Sequence, residues 1–292
     1  MFGLTMRSRI QKVLLTRFTV TNNSYVKKSR GLTAAAFFIF KFKIGGLMNS
    51  EIIFAGTVLI IFIYGAVIGS FLNVCIYRIP ENKSIVSPPS ACPECGNFIK
   101  WYDNIPILSY FILGRKCRFC GEKISGRYPI IEFMTGLLFV LFFIKFGVEK
   151  NYFFYIIMVG YLITLALIDI DRKIVPDGIL KYMCITGAVF SVFKFGGINL
   201  FEGIIGATAG GTLLLILNYF TNGKIGEGDI KLAAVLGMCV GAAAVFDIIF
   251  YSFIVGGFVA VFLLVTGKNG RKDEIAFVPF IAAGFILKYL LA

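Results

Sequence analysis

Long apolar runs separated by short polar stretches occupy this chain from about residue 52 to its end. A helix needs about 20 apolar residues to cross a bilayer, because it rises about 1.5 Å per residue through about 30 Å of hydrocarbon. On this criterion the pattern predicts about eight membrane-spanning helices. They cover residues 52–76, 130–146, 152–168, 179–195, 200–220, 231–246, 248–266 and 275–291.

The composition agrees with a membrane protein. Hydrophobic residues make up 58% of the 292 positions, charged residues only 15%, and the mean hydropathy is +0.85. A soluble domain of this composition would aggregate, so we predict an all-α polytopic membrane protein. The chain contains no histidine. This excludes Ser-His and Cys-His nucleophiles, HExxH metallopeptidases and histidine proton relays.

Several predicted spans carry small residues at close spacing. Examples are Gly203, Gly206, Gly210 and Gly211 in one span, and Gly237 and Gly241 in the next. Small residues let helix backbones approach closely within lipid. We therefore interpret these glycines as helix contacts and not as ligand-binding loops.

The basic residues predict the orientation. From Met48 onward most Lys and Arg fall in alternate loops, in the regions 78–129, 172–181, 224–231 and 268–272. The other side receives only Lys145, Lys150, Lys194 and Lys288. Since basic loops stay in the cytoplasm, these regions are predicted to be cytoplasmic.

Residues 1–47 do not fit this orientation. They contain many Lys and Arg but no Asp or Glu, and their apolar run, residues 32–40, is too short to span. We interpret residues 1–47 as a non-native or disordered extension, with Met48 as the true start. A basic arm that touches anionic lipid or nucleic acid is the alternative.

A polar insertion at residues 78–129 carries two Cys-x-x-Cys-Gly knuckles, formed by Cys92, Cys95, Cys117 and Cys120. This spacing is typical of a zinc ribbon. Two disulfides and four inert thiols are the alternatives, but a cytoplasmic location disfavours disulfides. Four thiolates leave no open coordination position, so the predicted zinc is structural. The remaining cysteines, Cys75, Cys184 and Cys239, are interpreted as packing residues.

Two aspartates, Asp169 and Asp229, lie where apolar runs end. Ionisable residues at membrane depth are costly and therefore suggest function. Two carboxylates in a partly dry site can share a proton and activate water, as in aspartyl proteases. We interpret two further aspartates as structural: Asp171 as a solvated charge in a loop, and Asp177 as the cap of the next helix.

Long motifs of the chain resemble the bacterial type IV prepilin leader peptidases, which are also N-methyltransferases. The motifs are Gly69–Pro80, Trp101–Tyr110, Gly114–Cys120, Ile124–Glu132 and the segments around both aspartates. The resemblance covers residues 48–292 and divides them into a first membrane helix at 48–77, the cysteine-bearing insertion at 78–129 and a peptidase core at 130–292.

This resemblance implies that Asp169 and Asp229 are the catalytic pair. It implies cleavage of basic leaders from prepilins or pseudopilins at the cytoplasmic face of the inner membrane, after Gly and usually before Phe. The cysteine-bearing insertion implies a second activity, methylation of the new amine with S-adenosylmethionine as donor. The sequence shows no glycine-rich Rossmann motif, so no residue is assigned to this donor. Glu132 is interpreted either as a methyl-transfer residue or as an interfacial side chain.

The predicted partners are these substrates and the lipid bilayer, without nucleic acid; the sequence predicts no oligomeric state. Two alternatives remain at this point: a peptidase without methyl transfer, and a transporter whose carboxylates carry ions or protons.

Overall fold

The computed structural model describes residues 50–266 and 275–291. These ranges form nine α-helices and no β-strand, which confirms the all-α class. The helices are α1 Ser50–Arg78, α2 Leu108–Ile112, α3 Arg127–Phe146, α4 Lys150–Arg172, α5 Asp177–Val192, α6 Leu200–Phe220, α7 Glu227–Val240, α8 Ala242–Val265 and α9 Val278–Leu290. The predicted extension at 1–47 and the basic loop at 268–272 lie outside the described residues.

Each predicted span overlaps a helix of the structure, although the span 231–246 covers parts of both α7 and α8, and the helices differ in length. In the described ranges, five helices are long and apolar enough to cross a membrane, namely α1, α3, α4, α6 and α8. Helices α5, α7 and α9 have 16, 14 and 13 residues and are shorter than a full crossing requires. The structure thus supports a polytopic membrane protein, whereas the number of eight spans stays a prediction.

The boundary between α7 and α8 lies earlier than the sequence pattern predicted. The pattern placed it near residue 247, but α7 ends at Val240 and α8 begins at Ala242. The break occurs at Gly241, whose φ of 82° is a backbone conformation that favours glycine. Hydropathy does not reveal this break because apolar residues continue across it.

Helix α4 provides much of the buried core. Its side chains Phe154, Met158, Leu162, Leu165 and Ile168 are almost completely buried. Their spacing of three and four residues places them along one stripe of the helix. Helix α4 packs against α3, α5 and α9. The C-terminal end of α4, which carries Asp169, is therefore held by neighbours on several sides.

Helices α6 and α7 pack more extensively than any other pair that the structure describes. A Cβ atom on Gly206 would overlap the carbonyl oxygen of Gly237, and a Cβ atom on Gly237 would overlap that of Gly206. A Cβ atom on Gly210 would likewise meet the carbonyl oxygen of Ala233. These glycines are contacts between helix backbones, as the sequence predicted.

Polar contacts show which helix ends lie together. Three ion pairs join helix ends on one side of the bundle: Arg127–Asp171 at 2.7 Å, Arg172–Glu81 at 2.7 Å and Lys231–Asp177 at 3.2 Å. On the other side, Lys288 pairs with Asp247, and the Lys145 ammonium donates to the carbonyl of Leu290. The C-terminal ends of α1 and α4 therefore lie beside the N-terminal ends of α3, α5 and α7. We call this side the motif end.

The α6–α7 contact makes a prediction for stability. Gly206→Ala should lower the stability of the detergent-solubilised protein by about 1–3 kcal/mol, because the added methyl group forces the two backbones apart. Gly257→Ala is the matched control, since a Cβ atom at Gly257 in α8 meets no atom within 4 Å. The measurement is thermal unfolding of both variants beside the wild type. Equal melting temperatures for the two variants would contradict the backbone contact.

Candidate active site

Asp169 is a buried carboxylate near the C-terminal end of α4. Asp169 is only 6% exposed, and its side-chain Oδ2 accepts a hydrogen bond from the backbone N–H of Val278 at 3.1 Å. Val278 is the first residue of α9, so the carboxylate binds at a helix N-terminus, where unpaired N–H groups favour negative charge. The Asp169 carbonyl also accepts the N–H of Lys173, which ends α4 in the left-handed region.

Asp229 is a half-buried carboxylate in the first turn of α7. Its backbone N–H donates to the carbonyl of Gly226 at 3.1 Å. Its side chain turns back towards the same residue, because a Cβ atom on Gly226 would lie 3.3 Å from Asp229 Oδ2. Alanine at position 226 would therefore crowd the carboxylate.

Gly228 connects the two aspartate motifs. A Cβ atom on Gly228 would lie 2.7 Å from the Cβ atom of Val175, which is closer than real Cβ atoms approach. Val175 belongs to the loop that leaves α4 only a few residues after Asp169. The missing side chain therefore lets the start of α7 rest directly on the loop that follows Asp169.

The structure thus brings Asp169 and Asp229 together at the motif end, where their charges interact. Two neighbouring carboxylates in a partly buried site do not both ionise readily, so such a pair can hold one shared proton. One carboxylate can then accept a proton from water while its protonated partner donates to a carbonyl oxygen. This arrangement suits hydrolysis of an amide bond.

The neighbouring acids Asp171 and Asp177 have other partners. Asp171 pairs with Arg127 of α3, and Asp177 at the start of α5 pairs with Lys231 of α7. Both contacts are partly exposed, so each contributes only a small stabilisation. They join helix ends around the aspartate pair. The specific roles predicted from the sequence were wrong: Asp171 lies within α4 and not in a loop, and Asp177 is the first residue of α5, whose N-cap is Pro176 without a side-chain cap hydrogen bond.

The four predicted zinc ligands converge in the insertion. The Sγ atoms of Cys92, Cys95, Cys117 and Cys120 all lie within 4.8 Å of one another, and those of Cys92 and Cys120 are 3.9 Å apart. Four sulfurs at about 2.3 Å from one zinc ion would be separated by about 3.8 Å. The donor set and its spacing therefore fit a tetrahedral zinc ion.

Each pair of cysteines is carried by a short turn closed by its glycine. The Gly96 N–H donates to the Cys92 carbonyl at 2.9 Å, and the Gly121 N–H donates to the Cys117 carbonyl at 3.0 Å. Both glycines have positive φ, 68° and 75°, which explains the glycine after each Cys-x-x-Cys. Each turn therefore brings the two sulfur atoms of its pair close together.

Local hydrogen bonds favour the thiolate form of Cys95 and Cys117, whereas, despite the backbone N–H of Glu122, burial and the neighbouring thiols raise the pKa of Cys120 to about 12. The backbone N–H of Asn97, followed by its side-chain amide, lowers the pKa of the Cys95 thiol to about 7. The backbone N–H groups of Cys120 and Phe119 also lower the pKa of Cys117. Because metals bind the thiolate form, these contacts help to preorganise the site.

Glu132 has a contact that the sequence did not predict. This residue of α3 is 7% exposed, and its Oε2 accepts the backbone N–H of Ile107 at 2.7 Å. Its carboxylate also interacts with the Ser70 side chain of α1. Ile107 has a φ of 64°, which is unusual for a β-branched residue. Glu132 therefore fixes a strained turn of the insertion to two membrane helices.

A second contact orders the insertion itself. The guanidinium of Arg118, between two zinc-ligand positions, donates twice to the Asp103 carboxylate. Arg118 thereby lowers the pKa of Asp103. Asp103 lies in the 3₁₀ turn Trp101–Asn104, so this bidentate contact connects the cysteine cluster to the segment that Glu132 holds.

Sequence reasoning also missed the contact of Val278 with Asp169. The partner of the carboxylate is a backbone N–H, and any residue except proline supplies one. A more informative signal was available for Glu132, since an acidic residue inside an apolar span needs a polar partner.

Comparisons with known proteins agree with this geometry. Residues 63–146 match the bacterial peptidase A24 N-terminal domain, and residues 156–261 match the type IV leader peptidase family. The prepilin leader peptidase/N-methyltransferase of Bacillus subtilis (strain 168) is 35% identical over 231 residues, which cover 79% of this chain and 93% of that protein. The protein of the same name from Myxococcus xanthus (strain DK1622) is 36% identical over 220 residues, covering 73% of this chain and 65% of the relative.

A third relative with this name, from Neisseria gonorrhoeae, is 34% identical over 223 residues, covering 66% of this chain and 78% of the relative. No solved structure matches the chain. The two family matches contain between them the insertion and both aspartates. The chain therefore belongs to the type IV leader peptidase family.

Proposed function

We propose that this protein is a membrane-embedded aspartyl endopeptidase that cleaves the leader of type IV prepilin-like proteins and then methylates the new N-terminus. The observation that carries the proposal is the meeting of Asp169 and Asp229 at one end of the bundle. The relatives named prepilin leader peptidase/N-methyltransferase support the substrate class and the two activities.

In the proposed cleavage step, Asp169 and Asp229 act as a pair. The deprotonated carboxylate accepts a proton from water, whose oxygen attacks the scissile carbonyl carbon. The protonated carboxyl donates to the carbonyl oxygen. As the tetrahedral intermediate collapses, the C–N bond breaks and the leaving amine takes a proton from the pair. Because the two groups titrate together, neither role is assigned to one residue.

The proposed second step transfers a methyl group from the sulfonium sulfur of S-adenosylmethionine to the nitrogen of the new N-terminus. S-adenosylmethionine is a substrate in this step, and we assign no residue to its binding. The zinc held by Cys92, Cys95, Cys117 and Cys120 would crosslink the two turns of the insertion and take no part in the chemistry. We propose that the insertion serves the methylation step, because it lies in the segment that matches the bacterial peptidase A24 N-terminal domain and the relatives carry N-methyltransferase in their names.

We also propose that the enzyme lies in the inner membrane with its motif end facing the cytoplasm. The proposed cleavage site in the substrate follows a glycine. The basic residues of the insertion and of the motif-end loops support this orientation. The proposed division is an extension at 1–47, a first helix at 48–77, the insertion at 78–129 and the peptidase core at 130–292. No described contact favours the transporter alternative, since both aspartates lie near helix ends and not in mid-span.

The aspartate pair makes a direct prediction. Asp169→Asn and Asp229→Asn should each reduce cleavage of a full-length prepilin-type substrate by about 10²-fold or more, because the pair loses its acid–base function. Asp177→Asn is the matched control, because Asp177 contacts Lys231 and not the pair, and it should retain cleavage. The assay follows processing in lipid with folded, membrane-inserted enzyme. Normal processing by either of the first two variants would refute the pair.

The cysteine cluster makes a separate prediction. The purified protein should contain about one zinc ion per chain, since four thiolates complete one tetrahedral site. Cys117→Ser should lose zinc and methyl transfer from labelled S-adenosylmethionine while leaving cleavage measurable, because both aspartates remain in place. Cys184→Ser should retain zinc, since Cys184 lies in α5 beside Met238. Metal analysis that finds no zinc in the wild type would exclude the ribbon, and loss of cleavage together with methylation would contradict the proposed division of labour.

A further inference from the structure

The insertion exposes a patch of large apolar side chains. Trp101 is 82% exposed and Ile112 is 73% exposed. Leu108 and Phe111 of α2 are also exposed. The turn that carries Trp101 packs against α2, which brings this turn and the helix together. We call these four residues the insertion patch. Exposing large apolar side chains to water is unfavourable, so a patch of this kind indicates an interaction surface.

The position of Ile107 gives the level of this segment relative to the membrane helices. Glu132, which accepts the Ile107 N–H, also interacts with Ser70 of α1. Ser70 precedes the end of α1 at Arg78 by eight residues, which is about 12 Å at a rise of about 1.5 Å per residue. The segment that carries the insertion patch therefore lies beside the spans, and it is closer to the middle of the bundle than the C-terminal end of α1 is.

The surface next to this contact is apolar. On α3, Ile130 and Phe133 flank Glu132 and are exposed, as expected of side chains that face lipid. Helix α3 is one of the candidate membrane spans. Ile107, which directly precedes Leu108 of the insertion patch, is therefore bound at a point of α3 whose neighbouring side chains are exposed and apolar.

Basic residues border the insertion patch on both sides in sequence. Lys100 precedes it, and Arg115 and Lys116 follow it; all three are exposed. Within the described ranges none of the three forms an ion pair, although Lys100 lies over the Tyr102 ring and Arg115 over the Tyr110 ring. Exposed cations beside aromatic rings are typical of the interface between anionic headgroups and acyl chains.

We propose that residues Trp101–Ile112 form an interfacial segment whose apolar patch rests in the bilayer beside α1 and α3. The occupant of the patch is lipid, with the rings and aliphatic side chains about 5–10 Å into the boundary between headgroups and acyl chains. The insertion is then attached at two points, by the Glu132 carboxylate and by lipid. This attachment fixes the height of the cysteine cluster above the membrane.

The chain offers its own probe for this proposal, since Trp101 is its only tryptophan. The full-length protein is placed in nanodiscs made with lipids that carry bromine on the upper acyl chain, and its emission is compared with that in unbrominated lipid. We expect bromine to reduce Trp101 emission, and the water-soluble quencher acrylamide to have little effect. No substrate is added, so the result does not depend on the proposed enzymatic activity.

A matched control moves the tryptophan to an equally exposed site of the same insertion. Val86 is 87% exposed, and the Arg78 side chain holds its segment at the end of α1 by donating to the carbonyls of Ser84 and Pro89. The double variant Trp101→Phe/Val86→Trp should therefore be quenched by acrylamide and not by brominated lipid. Zinc content measured on both proteins verifies that the insertion is intact.

Any of three results would overturn the proposal. Quenching of Trp101 by acrylamide without quenching by bromine would place the patch in water. Protection from both quenchers would place it against protein, either a second copy of the chain or another part of the same molecule. Equal bromine quenching at positions 101 and 86 would show that the probe does not resolve depth, and the depth assigned to Trp101 would be withdrawn.

Discussion

The structure depends on how it stabilises a carboxylate that is buried at the end of a membrane helix, because burying an unpartnered charge is unfavourable in free energy. Asp169 is 6% exposed, and an isolated charge in such a place would cost several kcal/mol. The N–H of Val278 at the start of α9 supplies a polar partner. The contact joins the start of α9 to the end of α4, although the two helices are distant in sequence. The stabilised carboxylate then lies where Asp229 can interact with it.

Close backbone approach makes the meeting of the two aspartates possible. Lipid gives no hydrophobic reason for helices to associate, so packing of small residues must hold them. The glycines of α6 and α7 provide this contact along the bundle, and Gly228 provides it against Val175 at the motif end. A larger side chain at position 228 would separate the loop after Asp169 from the start of α7. The glycine in the motif therefore has a packing reason that is independent of substrate.

The insertion is joined to the membrane helices by buried and charged contacts and not by the chain connection alone. Glu132 of α3 holds Ile107, and Arg172 of α4 pairs with Glu81. Within the insertion, Arg118 orders the turn that contains Asp103. These contacts give the cysteine cluster a defined place at the motif end. In the proposed function, a module attached this way lies at the same end of the bundle as the aspartate pair that releases the new amine.

The sequence by itself determined the all-α class, the positions of the apolar helices and the two Cys-x-x-Cys turns, because hydropathy and ligand spacing are local properties. It also identified Asp169 and Asp229 as unusual, since charge beside an apolar run is visible without a fold. Only the tertiary structure decided that the two carboxylates meet, that Val278 binds one of them and that Glu132 anchors Ile107. All three contacts join residues far apart in sequence, and the last two use backbone N–H groups, which carry no sequence signature. The break at Gly241 also depended on backbone conformation, which an uninterrupted apolar sequence does not reveal.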